Sequence, residues 1–358
     1  MNRFESRGKI SAIEAMEEAQ RIAFGPVVFQ ATRVLRNSGI LALIENSTGG
    51  LTQDEIVSET KLSVYGVRVL LEAGLSIGLL DFVDGRFKTT KTAYFILNDK
   101  LTEVNLDYVH DVCYNGMFYL EESIKTGNPE GLKVFGNWPT IYQALEGGHL
   151  PPQVLKSWYA FDHYYSDFAF PDLLPMVFKQ KPKTLLDIGG NTGKWALQCF
   201  QYDPEVNITI LDLPGNVETA KNQLEQNGFG NRIKFNVGNV LDDNHSFPTG
   251  FDAIWMSQFL DCFSESQIMA ILNKCRLSLA PGGFVYILEL LWDRQRFKAA
   301  AFSLIQTSLY FTAMANGNSQ MYFSENMIRC IEQSGFEIVD QKDQIGVGHT
   351  LLTCKLKS

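Results

Sequence analysis

The chain has 358 residues, a formal net charge of −9, and 45% hydrophobic, 12% aromatic and 20% charged residues. This composition excludes a mainly disordered chain, and the length sets two domains as the expectation. The acidic balance argues against a general polyanion binder, and no apolar run reaches the roughly 18 to 20 residues of a membrane-spanning helix.

The N-terminal stretch, residues 1–19, is charged throughout and lacks the apolar centre of a secretion signal. The six cysteines include no Cys-x-x-Cys pair and the five histidines no His-x-x-x-His spacing. A disulfide framework or a metal site is therefore not expected, and a reducing cytoplasm fits the cysteine usage. Residues 11–45 read as helix, with apolar positions at Ile13, Met16, Ile22, Val34, Leu35, Leu41 and Ile44, divided in two at Gly25-Pro26. Thr52 with Glu55 forms a capping box that opens the next helix, and a second follows from Val64 to Leu75. A hairpin turning on Asp84-Gly85 completes a winged-helix outline. A helix that reads DNA should project Arg, Lys, Asn or Gln, yet residues 64–75 offer Arg68 among mostly apolar neighbours. Residues 1–100 also balance 12 basic against 12 acidic groups. A packing or dimerisation module is the expectation, with no nucleic-acid partner.

Residues 100–180 read as helical and rich in aromatics, among them Tyr108, Trp138, Trp158, Phe161 and Tyr165. Most suit core packing, and their density also suits the walls of a pocket for a flat, apolar molecule. Beyond Pro182 strands and helices alternate: TLLDIG, NITILDL, RIKFNVG, FDAIWMSQFL and FVYILEL are strands, and FEIVDQKD with GHTLLTCKL forms an antiparallel terminal pair. The expected architecture is α/β, a doubly wound, Rossmann-like sheet of about seven strands with its ligand at the strand carboxyl ends. The expected divisions are 1–105, 106–180 and 181–358.

The strongest chemical signal is Asp187-Ile188-Gly189-Gly190-Asn191-Thr192-Gly193, between the first strand of that sheet and its helix. Glycines there let the backbone approach a ligand closely. Asp212 closes the next strand, 25 residues later, where a carboxylate can accept both ribose hydroxyls. The dinucleotide fingerprint G-x-G-x-x-G and the phosphate-loop G-K-[ST] are both absent. S-adenosylmethionine is therefore expected ahead of NAD or ATP.

On these residues the chain resembles the small-molecule O-methyltransferases of the plant caffeic acid and hydroxyindole type. The likeness extends through Phe161-Asp162-His163-Tyr164-Tyr165-Ser166-Asp167, Leu211-Asp212-Leu213-Pro214, Ala280-Pro281-Gly282-Gly283 and Ser334-Gly335-Phe336. It implies a homodimer that binds S-adenosylmethionine and a small acceptor. It implies that Asp187, Gly189, Gly190, Gly193, Asp212, Leu213, Asn239, Val240 and Ser257 form the cofactor site, with Phe161, Tyr165 and Met321 at the acceptor. Asn239 stands where the family has an Asp near the adenine amino group, and Ser257 replaces a common lysine.

The departures lie at the proton-transfer position. Asp261 stands where the family carries its general-base His, and Cys262 where its acidic neighbour belongs. Glu289 matches one bracing glutamate and Met321 occupies the place of the other. Asp261 is the expected base with Glu289 in support; burial can raise a carboxylate toward the basicity the task needs. Asp261 also suits a helix N-cap, as does Ser264, and Glu289 suits the cap of a neighbouring turn. His163 is a second base candidate, and Trp195 reads as sheet-packing core. The expected function is methyl transfer to a small aromatic or polyketide-like hydroxyl. The alternatives are a relative with other chemistry (carbon methylation, hydroxylation or decarboxylation) or a non-catalytic winged-helix regulator that senses a ligand.

Overall fold

The computed structural model describes residues 10–146 and 148–357, except the side chain of Asp167. Residues 1–9 of the N-terminal stretch considered above as a secretion signal lie outside the described residues. The chain divides into two units, residues 1–109 and 110–358.

The first unit opens with α1 (Ala12–Ala23), started by a reciprocal Ser11–Glu14 capping box. In α2 (Gly25–Asn37), Pro26 sits in the first turn, where its missing N–H costs nothing. One break was expected between residues 11 and 45, but a second lies at Gly39. Its φ of 80° ends the helical path before α3 (Ile40–Glu45), a left-handed conformation that glycine adopts without penalty. The Thr52–Glu55 box starts α4 (Gln53–Thr60), and α5 (Val64–Ser76) follows. Strands β1 (Leu80–Val83) and β2 (Arg86–Thr89) form the hairpin. Positive φ at both Asp84 and Gly85 matches the twist of the two strands. Helices α6 (Lys91–Asn98) and α7 (Lys100–Tyr108) close the unit. Leu35, Ile40, Leu41, Ile56, Val67 and Leu71 form its core. Helix α1 buries no residue, and Ile13, Met16 and Ile22 on it are 65%, 60% and 72% exposed.

The second unit begins with helices α8 (Leu120–Thr126), α9 (Ile141–Glu146), α10 (Pro152–Ser166) and α11 (Phe170–Val177). Strand–helix alternation then runs β3 (Thr184–Ile188), α12 (Lys194–Tyr202), β4 (Asn207–Asp212), α13 (Pro214–Gln226) and β5 (Ile233–Val237). It continues through β6 (Phe251–Ser257), α14 (Glu265–Ser278), β7 (Leu279–Glu289), α15 (Lys298–Tyr310), α16 (Ser324–Gln333), β8 (Phe336–Ile345) and β9 (His349–Leu356). The sheet order is β5-β4-β3-β6-β7-β9-β8, parallel except where β9 pairs with β7 and β8. Side chains alternate across the sheet: Leu185, Ile210 and Trp255 join one core, while Leu186, Leu211 and Met256 join the other. Both faces are covered, which is why these strands read as near-continuous apolar runs. Strand order reverses between β3 and β6, and at such a point the connections diverge and open a crevice.

Beyond β6 a short turn at Leu260–Cys262 leads into α14. Ser264 is the N-cap, in a reciprocal box with Gln267, so Asp261 is not needed to start the helix. Ser264→Ala should cost about 1 kcal/mol, read as a lower urea midpoint at unchanged slope, and Ser264→Asp should recover most of it.

Candidate active site

Parallel pairing sets Asp187 of β3 beside Ile210 of β4 and Trp255 of β6. The chain then turns through Gly189 (φ 75°), Gly190, Asn191 (φ 49°) and Thr192 to Gly193 (φ 78°). A Cβ on Gly189 would lie 2.3 Å from the Phe259 ring, and one on Gly190 2.9 Å from Asp187 Oδ2. Both contacts are below what a real Cβ tolerates, so the loop can hug the strand ends only as glycine. Asp212, buried at the end of β4, anchors the loop. Its Oδ2 accepts the Asn191 amide at 2.8 Å; its Oδ1 accepts the Leu213 amide at 2.7 Å and Asn216 Nδ2 at 2.9 Å. Burial raises this carboxyl from its ordinary range, and the three donors pull it back.

At the β3/β6 switch point lies a cleft that opens to solvent. Of the residues expected from the sequence, Asp187, Gly189, Gly190 and Ser257 line it, and so does His163, the second base candidate. Three buried polar atoms on its wall have no hydrogen-bond partner: Asp187 Oδ2, Ser257 Oγ and Trp195 Nε1. Buried polar groups are nearly always satisfied, so three orphans on one wall mark a place built for a polar ligand. Burial, reinforced by the nearby Asp212 charge, pushes Asp187 up to about 8. A cationic group delivered into the cleft would reverse that shift. The indole of Trp195 stacks on Trp255 at 4.1 Å, as its reading as core implied, while its edge reaches the cleft. Asn191 also donates to Asp162 on α10 at 3.2 Å, so the helical segment helps to hold the loop.

A second buried polar group lies past the end of β6. Asp261 is 5% exposed and accepts the Cys262 thiol at 3.5 Å. Glu289, at the end of β7, accepts the amides of Phe259 (3.1 Å) and Leu260 (2.8 Å) through Oε1, while Oε2 has no partner. It therefore does cap the adjacent turn, with one oxygen to spare. Burial pushes Asp261 up to about 6 and holds Glu289 well above the usual carboxylate range, the Asp261 charge adding to the latter. Both carboxyls are thus held back from ionising, Glu289 with the Asp261 charge beside it. Asn316 Nδ2 on the Cys262 carbonyl (2.5 Å) and the Tyr322 hydroxyl on the Phe263 carbonyl (2.6 Å) fix the turn.

The other expected cofactor and acceptor residues do not line the cleft. Gly193 caps α12, and Leu213 precedes α13 as its N-cap. Asn239 is exposed and its Oδ1 accepts the Leu241 amide at 2.9 Å; Val240 is buried in the core. Phe161 and Tyr165 pack ring to ring at 5.0 Å, and Met321 is 5% exposed. Lys194 and Gln258 line the cleft although no role was assigned to them from the sequence. Their signal was adjacency: Lys194 follows Gly193, and Gln258 follows Ser257.

A doubly wound sheet with a glycine loop, an acidic second-strand end and a buried carboxylate beyond the fourth parallel strand defines a group-transfer enzyme of the nucleoside-cofactor class. Residues 166–337 match the O-methyltransferase domain and residues 17–87 the Dimerisation2-like domain. The L-tyrosine C(3)-methyltransferase of Streptomyces lavendulae is 25% identical over 90% of this chain and 87% of its own. The 3-hydroxy-5-methyl-1-naphthoate 3-O-methyltransferase of Streptomyces sahachiroi is 26% identical over 74% of this chain and 76% of its own. Among solved structures, the S-adenosylmethionine-dependent methyltransferase SibL in its apo form aligns with a TM-score of 0.70. That alignment covers 94% of this chain and 98% of SibL at 22% identity, a likeness of fold. Residues 166–337 carry the O-methyltransferase domain, and the chain is an S-adenosylmethionine-dependent methyltransferase.

Asp187 makes a prediction for the ligand-free protein. In the unfolded chain its carboxyl ionises near its ordinary value of 3.8, in the folded protein only near 8. The folded state thus binds the extra proton, and stability falls as pH rises between those values. Asp187→Asn should flatten the fall between pH 6 and 8, measured as melting temperature against pH, and should raise stability at pH 8.

Proposed function

We propose that the protein transfers the methyl group of S-adenosylmethionine to the hydroxyl of a small aromatic or polyketide-like acceptor, with Asp261 receiving the hydroxyl proton. The observation that carries this is a carboxylate buried beside Glu289 and raised to about 6. S-adenosylmethionine, when bound, supplies a methyl carbon made electrophilic by its sulfonium. Asp187 Oδ2 suits its ammonium, and Asp212 with the glycine loop suits the ribose: a carboxylate offers about four acceptor positions, and three are taken. Leu213, Asn239 and Val240 would flank the adenine, with Ser257 near the methionine end. Phe161, Tyr165 and Met321 would wall the acceptor.

A phenol ionises near pH 10 and an ordinary aspartate near 3.9, a gap of about six units. The rise to about 6 closes roughly two of them, worth about 3 kcal/mol. Positioning of the oxygen in line with the methyl carbon accounts for much of the remaining barrier. As the O–C bond forms and the C–S bond breaks, the proton moves to Asp261 and the electron pair to sulfur. The names of relatives support an aromatic acceptor: a hydroxynaphthoate in one, L-tyrosine in another. A homodimer is supported by the Dimerisation2-like domain and the exposed Ile13, Met16 and Ile22. We place the enzyme in the cytoplasm, with divisions near 1–105, 106–180 and 181–358.

The test is methyl transfer from labelled S-adenosylmethionine to a panel of phenols and hydroxynaphthoates, with the product located by NMR. The methyl is expected on oxygen; a methyl on ring carbon would overturn the acceptor assignment. Asp261→Asn should lower kcat by about a hundredfold or more at unchanged KM for the donor, and wild-type kcat should fall as pH drops below about 6. Full kcat in that variant would remove Asp261 as the base. Ile22→Glu should convert the dimer to monomer in sedimentation velocity.

A further inference from the structure

One buried titratable side chain has no part in the reaction as derived. His349 opens β9 with no exposed surface, and its Nε2 lies 2.6 Å from Gln258 Oε1. Gln258 leaves the carboxyl end of β6 with φ +46°, a left-handed conformation uncommon outside glycine and often found at functional sites. Its amide donates to the Leu288 carbonyl at 2.8 Å. Backbone and side chain are thus both held, one by β7 and the other by β9, while the residue lines the cleft.

The hold on His349 is itself built. Gln295, 2% exposed, donates through Nε2 to the carbonyls of Gly348 (2.8 Å) and Leu291 (3.0 Å). Gly348 has φ +131°, and a Cβ there would fall 2.3 Å from Gln295 Oε1. A polar chain therefore runs from Leu291 through Gln295, Gly348 and His349 to Gln258 and ends at the cleft. Burial pushes the imidazole down to about 4, which keeps the ring neutral with a single N–H. Nε2 faces the carbonyl oxygen of the Gln258 amide, which can only accept, so that proton belongs on Nε2 and is donated to Gln258 Oε1. The Gln258 amide then has its NH₂ end left for the cleft.

Two complementary functions thus meet where β3 and β6 leave the sheet side by side: the unpartnered carboxylate oxygen of Asp187 and the two N–H donors of Gln258. An α-amino acid carries the matching pair, an ammonium and a carboxylate. We infer that Gln258 binds the α-carboxylate at the methionine end of the methyl donor, and that His349 is a positioning residue that keeps the amide turned donor-outward. The inference rests on S-adenosylmethionine as the donor.

The test is calorimetric binding of S-adenosylhomocysteine and of its decarboxylated analogue, which lacks only the carboxylate. Wild type should prefer the intact ligand roughly tenfold, the scale of one charge-assisted hydrogen bond. Gln258→Ala and His349→Phe should each bring that preference close to one, while His349→Gln, which keeps an N–H donor, should retain most of it. An unchanged preference in Gln258→Ala would overturn the inference, and so would an equal loss of both ligands, which a merely structural role would give. Gln258 is only half-buried, so its variant decides the matter even where His349→Phe does not fold. A wild type that binds neither ligand would instead sink the donor reading itself.

Discussion

The site depends on the cost of burying carboxylates at the carboxyl edge of a parallel sheet. Asp187, Asp212, Asp261 and Glu289 lie at or just beyond the ends of β3, β4, β6 and β7, and none is more than 8% exposed. Four negative charges in one dry layer would repel one another and forfeit their hydration. Each is handled differently. Asp212 takes two backbone amides and a side-chain amide, and Glu289 takes two backbone amides. Asp261 has the Cys262 thiol. Asp187 Oδ2 has no partner. Where the protein supplies donors, the carboxylate shapes the loop or turn beside it. Where it does not, demand is left for something brought in from outside.

That division accounts for how much was legible in the sequence. The glycine loop, Asp212 at its strand end and the alternating strands were readable because each is local: a few neighbouring residues determine the turn or the apolar run. Ser264 was readable as a candidate N-cap for the same reason. The second break at Gly39 was passed over because the apolar spacing continues through it, and periodicity is blind to a residue that changes φ without changing polarity. Asn239 was assigned to the adenine by position alone; that its Oδ1 accepts the amide two residues on, a habit of asparagine in turns, was not part of that assignment. The pairing of Gln258 with His349 spans 91 residues, and nothing along one chain links an amide after one strand to a histidine at the start of another. Only the order β6-β7-β9 in the sheet brings them together.

The same constraint bears on the proposed proton acceptor, Asp261. A histidine would bring a base of intermediate strength ready-made; a carboxylate must be raised. Burial does that here, and it raises Glu289 as well, with the Asp261 charge adding to the rise. Both acids are pushed away from ionisation, and the added repulsion on Glu289 means that the two do not titrate alike.

The three hydrogen bonds on Asp212 carry a thermodynamic consequence for ligand entry. The loop closes on this carboxylate through the protein's own donors, with the Asn191 amide on one oxygen and Leu213 and Asn216 on the other. A diol that seeks the same oxygens arrives as a competitor of the loop as well as a guest. Whatever donors it displaces must find water or the ligand, so the hydrogen-bond tally changes little on binding. Recognition at this point draws on exchange within a scaffold already set, and its calorimetric signature would be a small enthalpy at the sugar.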